Sequence, residues 1–284
     1  MLNWDDLRHF VALAREGTLS AAARALDVDH VTVARRIAAL EAASGLKLVD
    51  RRTRLYHLTA DGERIAALAF HMEEAAFAVE RAARAAEPGL AGEVSISAPP
   101  SLANALIAPR LIELRRQHPG IRIILIGEKR SASLGRREAD LALRLSRPTE
   151  PGLVARKIGQ FGFSLYGAPN YLKETPPQAF AFIAYDASMD EAPQQRWLRA
   201  VAGQRDIVLR TGDLENQAAA ARAGVGLAAL PHFLGDRDPK LVRYKTRTAE
   251  VARDVWLVVH RDLRRAPAIR TVMEFLARCL QLPK

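Results

Sequence analysis

Arginine, histidine and threonine side chains between residues 30 and 57 have the types and spacing that nucleic-acid binding requires. Arg35 is the first candidate for reading a base sequence, because one guanidinium can bind O6 and N7 of a guanine together in the major groove. His30 and Thr32 are secondary candidates. The candidate surface of this segment consists of His30, Thr32, Ala34, Arg35 and Arg36.

A basic loop follows this segment. The residues Arg51, Arg52 and Arg54 lie between two short apolar runs, Leu46–Val49 and Leu55–Leu58, which read as a pair of strands. We expect these arginines and His57 to bind phosphates or a narrow minor groove, which positions a protein on DNA without reading its sequence. A hairpin end that is only solvated is the alternative.

Helices must position these side chains. Periodicity predicts helices from Asp5 to Arg15, from Leu19 to Leu26 and from His30 to about Ala43. Thr18 or Ser20 is expected to cap the second helix and Asp29 the third. The residues Val33, Ile37 and Leu40 form an apolar stripe at i, i+4 and i+7, and the candidate DNA-binding residues lie off it.

Two helices joined by a tight turn, followed by a strand, a basic loop and a second strand, are the parts of a winged helix-turn-helix. Helical hairpins that do not bind DNA share the helical outline, and periodicity alone does not separate the two. The basic hairpin directly after the third helix favours DNA binding.

The net charge of +10 is not evidence for this interpretation, because the excess lies elsewhere. Residues 1–90 carry 12 basic and 13 acidic side chains, whereas residues 91–284 carry 30 and 19. The C-terminal excess fits an anionic ligand and also an ordinary solvated surface.

The single cysteine, Cys279, cannot form an internal disulfide and is expected to pack as a small apolar residue. The N-terminus is acidic, and no stretch approaches the roughly 18 apolar residues that span a bilayer. We therefore expect a cytoplasmic protein without a membrane partner.

The N-terminal motifs resemble those of the LysR-type transcription regulators. They run in the family's order and spacing from Leu7 to Gly62: Leu7-x-x-Phe10, Gly17-Thr18-Leu19-Ser20-x-Ala22-Ala23-x-x-Leu26, Val33-Ala34-Arg35-x-Ile37-x-x-Leu40-Glu41, Gly45-x-x-Leu48, Arg51 and Leu58-Thr59-x-x-Gly62. C-terminal motifs are similar to that family's effector domain: Ala98-Pro99-Pro100-Ser101, His118-Pro119, residues 138–144 and Ala223-Gly224-Val225-Gly226-Leu227-Ala228-x-x-Pro231.

The sequence departs from the family pattern on the third helix and at the hairpin. Asp29-His30 stands where the family usually has Ser-Gln, and Ala34 replaces a serine. The family's hairpin usually begins after Leu-Phe-x-Arg, where this chain has Leu48-Val49-Asp50-Arg51. His30 and Ala34 occupy positions that contact bases in the family, so the operator sequence does not carry over.

Residues 59–87 read as one long helix that begins after a cap at Thr59. Ile65, Leu68, Met72 and Val79 recur at intervals that suit a partner helix, and packing on its own chain is the alternative. The resemblance implies an antiparallel homodimer of these helices, with homotetramers built through helices and effector domains.

Residues 92–284 alternate short strands with helices, which is an α/β pattern. Expected strands are Glu93–Ala98, Arg122–Ile126, Leu141–Leu145, Leu153–Ile158, Phe163–Tyr166, Phe182–Tyr185, Ile207–Arg210, Leu227–Leu230 and Val255–Val259. Expected helices are Ser101–Gln117, Gln194–Ala202, Asp213–Ala223 and Ala266–Gln281.

The whole chain is thus expected to be an α/β protein with an N-terminal winged helix-turn-helix (1–58), a long linker helix (59–87) and a C-terminal two-lobed effector domain (92–284). The resemblance implies two Rossmann-like lobes of the kind found in periplasmic binding proteins. Lobe I would comprise 92–161 and 265–284, and lobe II 162–264, with crossings near Phe161 and Arg264.

Ligands of such folds bind at the carboxyl ends of strands, beside helix N-termini. Ser101 in the first lobe and Thr211 and Asp213 in the second have this position and are candidate effector-binding residues, although Ser101 and Asp213 can also be plain helix caps. Other polar residues that follow strands are Lys129, Arg130, Arg144 and Ser146. The arginines among them can equally be surface charges.

These expectations describe a regulator that binds double-stranded DNA, a small-molecule effector and copies of itself, with RNA polymerase as a further candidate partner. An enzyme is a rival, but the sequence contains no nucleophile elbow, no dinucleotide or phosphate loop and no metal-ligand spacing, so no cofactor or metal is expected. A free two-lobed solute-binding protein is the second rival, and residues 1–58 argue against it.

Overall fold

The computed structural model describes residues 2–50, 56–85, 90–127 and 139–281. The chain divides into two compact units, Met1–Ala82 and Ala83–Lys284.

Three helices open the first unit: α1 (Trp4–Glu16), α2 (Leu19–Leu26) and α3 (His30–Ser44). Thr18 caps α2 by accepting a hydrogen bond from the backbone N–H of Ala21, and Asp29 caps α3. Gly17 and Gly45 end α1 and α3 in the left-handed conformation, with φ of 71° and 68°. These bounds confirm the helices expected from periodicity.

A small core joins these helices to a short hairpin. The predicted stripe Val33, Ile37 and Leu40 is buried against α1. The hairpin consists of β1 (Val49–Asp50) and β2 (His57–Leu58), which pair antiparallel. Both strands are shorter than the sequence predicts.

The long helix α4 runs over Ala60–Ala85, 26 residues. The hydroxyl oxygen of Thr59 accepts a hydrogen bond from the N–H of Gly62 at 3.0 Å, as a cap does. Ala66 and Ala69 are buried in the core of the first unit, so the first turns of α4 pack on their own chain.

The second unit is built on one mixed sheet. Among its described residues, nine strands form this sheet, in the order β4-β3-β5-β11-β6-β9-β7-β8 with β10 paired to β6. The strands are β3 (Gly92–Ala98), β4 (Ile121–Gly127), β5 (Leu141–Arg144), β6 (Leu153–Gly167), β7 (Phe182–Ala184), β8 (Ile207–Arg210), β9 (Leu227–Pro231), β10 (Val242–Tyr244) and β11 (Val251–His260). The sequence predicts all of these except β10.

Helices pack on both halves of the sheet. They are α5 (Pro100–Leu102), α6 (Leu111–Gln117), α7 (Pro169–Glu174), α8 (Pro193–Ala202), α9 (Leu214–Arg222), α10 (His232–Gly235) and α11 (Pro267–Cys279). The single helix predicted over Ser101–Gln117 is interrupted between α5 and α6 by a π segment and a 3₁₀ turn. Pro109, in the 3₁₀ turn, has no N–H and its ring would clash with the carbonyl four residues earlier, which breaks the α-helix.

Two strands cross from one half of the sheet to the other. β6 is one strand of 15 residues where the sequence predicts two, and it pairs with β11 from Val251↔Phe163 to His260↔Leu153. Gly159 and Gly162 do not form a turn here. A Cβ on Gly162 would lie 2.5 Å from Cε1 of His232, so this glycine permits a close approach within the strand.

The crossing strands divide the unit into two lobes. We define lobe I by β3, β4 and β5, and lobe II by β7, β8 and β9. β11 already pairs with β5 from Trp256 onward, so the chain returns to lobe I eight residues before Arg264, near which the family resemblance implies the crossing. Buried residues of β11 and α11 share the lobe I core.

Candidate DNA-binding surface and ligand cavity

The start of α3 is fixed by Asp29. Its carboxylate accepts hydrogen bonds from the N–H of Thr32 at 2.7 Å and from the hydroxyl of Thr32 at 2.8 Å. These bonds hold the pKa of Asp29 below its usual range. Because the Thr32 hydroxyl donates to Asp29, its oxygen is left to accept rather than donate toward a base.

The outer side of α3 carries most of the predicted DNA-binding residues. His30 and Arg35 are exposed, and Thr32 and Ala34 are partly exposed. Among the described residues, none forms an ion pair or a side-chain hydrogen bond with Arg35. The structure adds Val31, which is 62% exposed and can contact a thymine methyl group. The sequence could have indicated Val31, because it is an apolar residue that lies outside the buried stripe of α3.

Arg36 has a different environment from its neighbour. Its Nη1 lies 3.1 Å from Oδ1 of Asp6, a buried carboxylate of α1. The ion pair ties α3 to α1, so this guanidinium is engaged within the protein, unlike that of Arg35. Periodicity placed both arginines off the stripe and could not separate them.

Glu41 anchors the segment that leads into the hairpin. It is a buried residue of α3, and its Oε1 accepts hydrogen bonds from the N–H groups of Leu48 at 2.9 Å and Val49 at 3.2 Å. Its Oε2 lies 3.4 Å from Nζ of Lys47. The entry of the hairpin is therefore fixed to the last turns of α3.

The arginines that the sequence predicts at the tip of the hairpin, Arg51, Arg52 and Arg54, lie outside the described residues. His57 is described and is exposed on β2.

The predicted seam of α4 divides into two parts. Leu68, Met72 and Val79 are 59%, 52% and 71% exposed, which is unusual for apolar side chains at regular spacing on one helix. Ile65 is only partly exposed and packs against the core of the first unit. The exposed stripe, which we call the α4 stripe, therefore consists of Leu68, Met72 and Val79.

A cavity of about 520 Å³ opens between the two lobes of the second unit. Four predicted effector residues line it, namely Ser101, Arg144, Ser146 and Asp213. Thr211 lies just outside the lining, next to Gly212, and Lys129 and Arg130 lie outside the described residues. The other lining residues are Pro99, Pro100, Leu102, Leu143, Leu145, Phe161, Phe163, Tyr185, Ser188, Met189, Gln194, Gly212, Leu214, Glu215, Pro231, Phe233 and Arg253.

The two helix starts at the cavity offer less to an anion than the sequence suggests. The N–H groups of Leu102 and Ala103 both donate to the carbonyl of Pro99 at 3.0 Å, which leaves Ser101 with its own hydroxyl and N–H. At α9, the carboxylate of Asp213 accepts from the N–H of Glu215 at 2.8 Å. A negative charge of the protein therefore already occupies that helix start.

Arg253, Gln194 and Tyr185 belong to the cavity but were not singled out from the sequence. Burial lowers the pKa of Arg253, and burial raises the pKa of Tyr185 to about 12. Arg144, which was predicted, donates to the hydroxyl of Ser97 at 3.2 Å and to the carbonyl of Leu143 at 3.0 Å.

Comparison with known proteins decides the family. The family model for the LysR substrate binding domain matches residues 87–281. The model for the bacterial regulatory helix-turn-helix protein of the lysR family matches residues 4–63. The chain belongs to the LysR family.

Relatives agree with this assignment over most of the chain. The Mau operon transcriptional activator of Paracoccus denitrificans is 27% identical over 276 residues, covering 97% of this chain and 96% of that relative. The AhcY transcriptional activator HvrB of Rhodobacter capsulatus is 32% identical over 244 residues, covering 83% of this chain and 82% of that relative. The full-length structure of the Vibrio cholerae virulence activator AphB has a TM-score of 0.63 at 22% identity, covering 97% of this chain and 98% of that one, which supports the fold.

This LysR-family protein is a DNA-binding transcriptional regulator with an effector-binding domain. In the part of the chain that the structure describes, no group of three or more His, Cys, Asp and Glu side chains is placed to hold a metal ion. No helix of the same part is both long and apolar enough to cross a membrane.

One polar cluster of the LysR-family regulator has the composition of a hydrolase site but not its geometry. The hydroxyl of Ser164 donates to Glu250 at 2.6 Å and lies 2.8 Å from Nε2 of His232, which is itself 3.6 Å from Glu250. A catalytic serine needs its histidine to face the acid through the other ring nitrogen. Ser164 is also fully buried, so the cluster is a packing contact at the crossing strand β6.

Proposed function

We propose that this regulator reads its operator with the exposed side of α3, with Arg35 as the principal base-reading residue. The observation that carries this proposal is the division of α3 into a buried stripe and an opposite side where the Arg35 guanidinium has no ion-pair partner among the described residues. His30 and Val31 lie beside it at the start of the helix. A guanidinium in this state is available to a guanine edge.

Arg36 takes a packing role in this proposal, because its ion pair with Asp6 already engages it. The hairpin residues Arg51, Arg52, Arg54 and His57 bind phosphates or the minor groove. The short hairpin and its attachment to Glu41 support this role, since a wing must be held at a fixed place beside the reading helix.

One such helix reads too few base pairs to be specific, so a second copy is needed. The α4 stripe supports a homodimer of long helices, with tetramers as the larger assembly. RNA polymerase is the further partner that a regulator bound at a promoter would contact. Because the target is chromosomal DNA, the cytoplasm is the expected compartment.

The effector binds in the cavity between the lobes. The cavity volume is within the range of small-molecule sites, and its lining combines apolar side chains with a few polar ones. A ligand that contacts both lobes shifts the population toward one degree of lobe closure, and this shift changes the DNA affinity or DNA geometry of the assembled regulator.

The test measures DNA and ligand binding on the same protein. Genomic fragments are first selected with the full chain, and a metabolite library is then screened by melting temperature and by its effect on the selected fragment. Ser146→Trp fills the exposed rim of the cavity, and we expect it to keep DNA binding and lose the ligand effect. If the chain selects no fragment, the base-reading role is contradicted. A ligand effect that survives Ser146→Trp contradicts the cavity assignment.

A further inference from the structure

Arg253 has an unusual position in the cavity. It lies on the crossing strand β11, opposite Phe161 of β6, and it lines the space between the lobes. Its Nη1 donates to Oε1 of Gln194 on α8 at 2.6 Å, and its Nη2 donates to the carbonyl of Leu145 after β5 at 2.9 Å. One guanidinium thus contacts lobe II, lobe I and the cavity.

Within the described part of the chain, no acidic side chain neutralises the charge of Arg253. Its two hydrogen-bond acceptors are an amide and a backbone carbonyl, both uncharged. No acidic side chain of the described residues forms an ion pair with it, and the only group that raises its pKa is the phenol of Tyr185. A partly buried cation without an anion is costly, and a bound carboxylate would remove that cost.

Two acidic side chains of the described residues line the cavity, and both come from the start of α9. Asp213 caps α9, and Glu215 lies 3.9 Å from Arg222, so both carboxylates are on the α9 side. An anionic group of a ligand is therefore favoured at Arg253 rather than at the start of α9. Ser101 offers a hydroxyl at the lobe I wall, which suits a neutral polar group of a ligand.

The body of the ligand must be apolar. Phe161, Phe163 and Phe233 line the cavity beside Arg253, and the rings of Phe161 and Phe233 meet edge to face at 4.9 Å between centroids. Leu102 and Leu143 extend this surface on the lobe I side. Such a lining gains free energy from burying hydrocarbon or an aromatic ring.

We propose that the effector is a small organic monocarboxylate with an apolar body, and that its carboxylate pairs with Arg253. This inference rests on the proposed function, since it takes the cavity as the effector site. Arg253 retains several N–H groups beyond the two that bind Gln194 and Leu145, so a carboxylate can be added to the existing bonds. The ligand would then couple to both lobes through one side chain.

The test compares charged ligands with uncharged ligands of nearly the same shape. The probes are straight-chain and phenyl-substituted monocarboxylates from acetate to 3-phenylpropionate, each paired with its primary amide, and binding to the full chain is measured by calorimetry and melting temperature. We expect at least one acid to bind, and its amide to bind about 10- to 100-fold more weakly, because a charge-assisted pair is lost. Arg253→Gln should remove the preference for the acid, whereas Arg156→Gln, an exposed arginine on β6, should retain it.

Arg253→Lys keeps the positive charge without the planar fork, and we expect it to retain a weakened preference for acids. If Arg253→Gln does not fold, Arg253→Lys tests whether the preference for acids depends on Arg253. The proposal is overturned if amides bind as tightly as acids, if Arg253→Gln binds the acid unchanged, or if no acid of the series binds the wild-type chain. A neutral or cationic metabolite whose binding is blocked by Ser146→Trp would overturn this inference and leave the proposed function standing.

Discussion

The proposed DNA-binding surface of α3 and the proposed effector cavity each present an arginine, but one side chain is exposed and the other is partly buried. Arg35 projects from a helix that is ordered by its own cap and buried stripe, and its side chain is exposed. Arg253 is partly buried, is held by two hydrogen bonds from different lobes, and has a lowered pKa because of burial.

Exposed and buried arginines select their partners in different ways. Exposed cations at DNA exchange bound counterions for phosphates, so their contribution falls with salt and adds over many contacts. A single desolvated cation is screened much less, and it discriminates strongly because the wrong ligand leaves it unpaired. We therefore expect salt to weaken DNA binding steeply and effector binding only slightly.

The largest expected effect tests whether the hairpin beside the proposed DNA-binding surface depends on the buried carboxylate of Glu41. Glu41→Ala removes the acceptor of two N–H groups at the entry of the hairpin. Leaving both without a partner should lower the free energy of unfolding of the first unit by about 3 kcal/mol. Chemical denaturation of the full chain, followed by circular dichroism, measures it.

Glu41→Gln is the control, since its amide oxygen can still accept from both of these N–H groups. We expect it to lose less than Glu41→Ala. Equal stability of Glu41→Ala and the wild-type chain would show that water replaces the carboxylate and that the hairpin is not anchored here.

Arg35→Ala tests the exposed arginine itself. We expect a loss of about 1–3 kcal/mol in affinity for the selected fragment, together with relaxed preference at one base pair, because the bidentate contact to guanine disappears. Fluorescence anisotropy against the fragment and its single-base variants measures both. Arg8→Ala, an exposed arginine of α1, is the charge-matched control. A loss that is equal on random DNA would assign Arg35 to the phosphates.

The α4 stripe is an apolar surface, so its proposed role in dimerisation depends on burial of apolar area rather than on charge. Leu68→Ala removes exposed apolar area that a partner helix would bury, so we expect the dimer to lose about 1 kcal/mol per subunit. Analytical ultracentrifugation across a dilution series would show it. Glu74→Ala, on another side of α4, should leave the dissociation constant unchanged. If Leu68→Ala also leaves the dissociation constant unchanged, the α4 stripe is not the dimer interface.

The smallest effect concerns His232, near the crossing strands. Burial, followed by the charge of Arg243, holds the pKa of His232 below 6.5, although Glu250 and Asp236 act in the other direction. The unfolded chain therefore takes up more protons than the folded chain as the pH falls below 6.5, and the folded state loses stability there.

His232→Gln should reduce this loss while leaving stability above that pH nearly unchanged. Urea unfolding of the second unit at about pH 8 and about pH 5.5 gives the comparison, with His71→Gln on α4 as control. An unchanged pH dependence in His232→Gln would mean that other groups account for it.

Local patterns in the sequence were sufficient to predict the three helices of the first unit. The helices α1 to α3, their caps and the buried stripe depend on residues within four positions of each other, and the periodicity of such neighbours is visible in a single sequence. Ser101 and Asp213 could also be predicted from local sequence, because each lies at the start of a helix that follows a strand. Both line the cavity.

Contacts between distant parts of the chain set which charged residues are engaged within the protein and which are exposed. The ion pair of Arg36 with Asp6 joins two helices, and the pairing of Arg253 with Phe161 joins strands 92 positions apart in the chain. Neither leaves a local pattern, because strand register and helix packing are set by burial across the whole unit. That same pairing made β6 one continuous strand, placed the return to lobe I on β11, and brought Arg253 into the cavity.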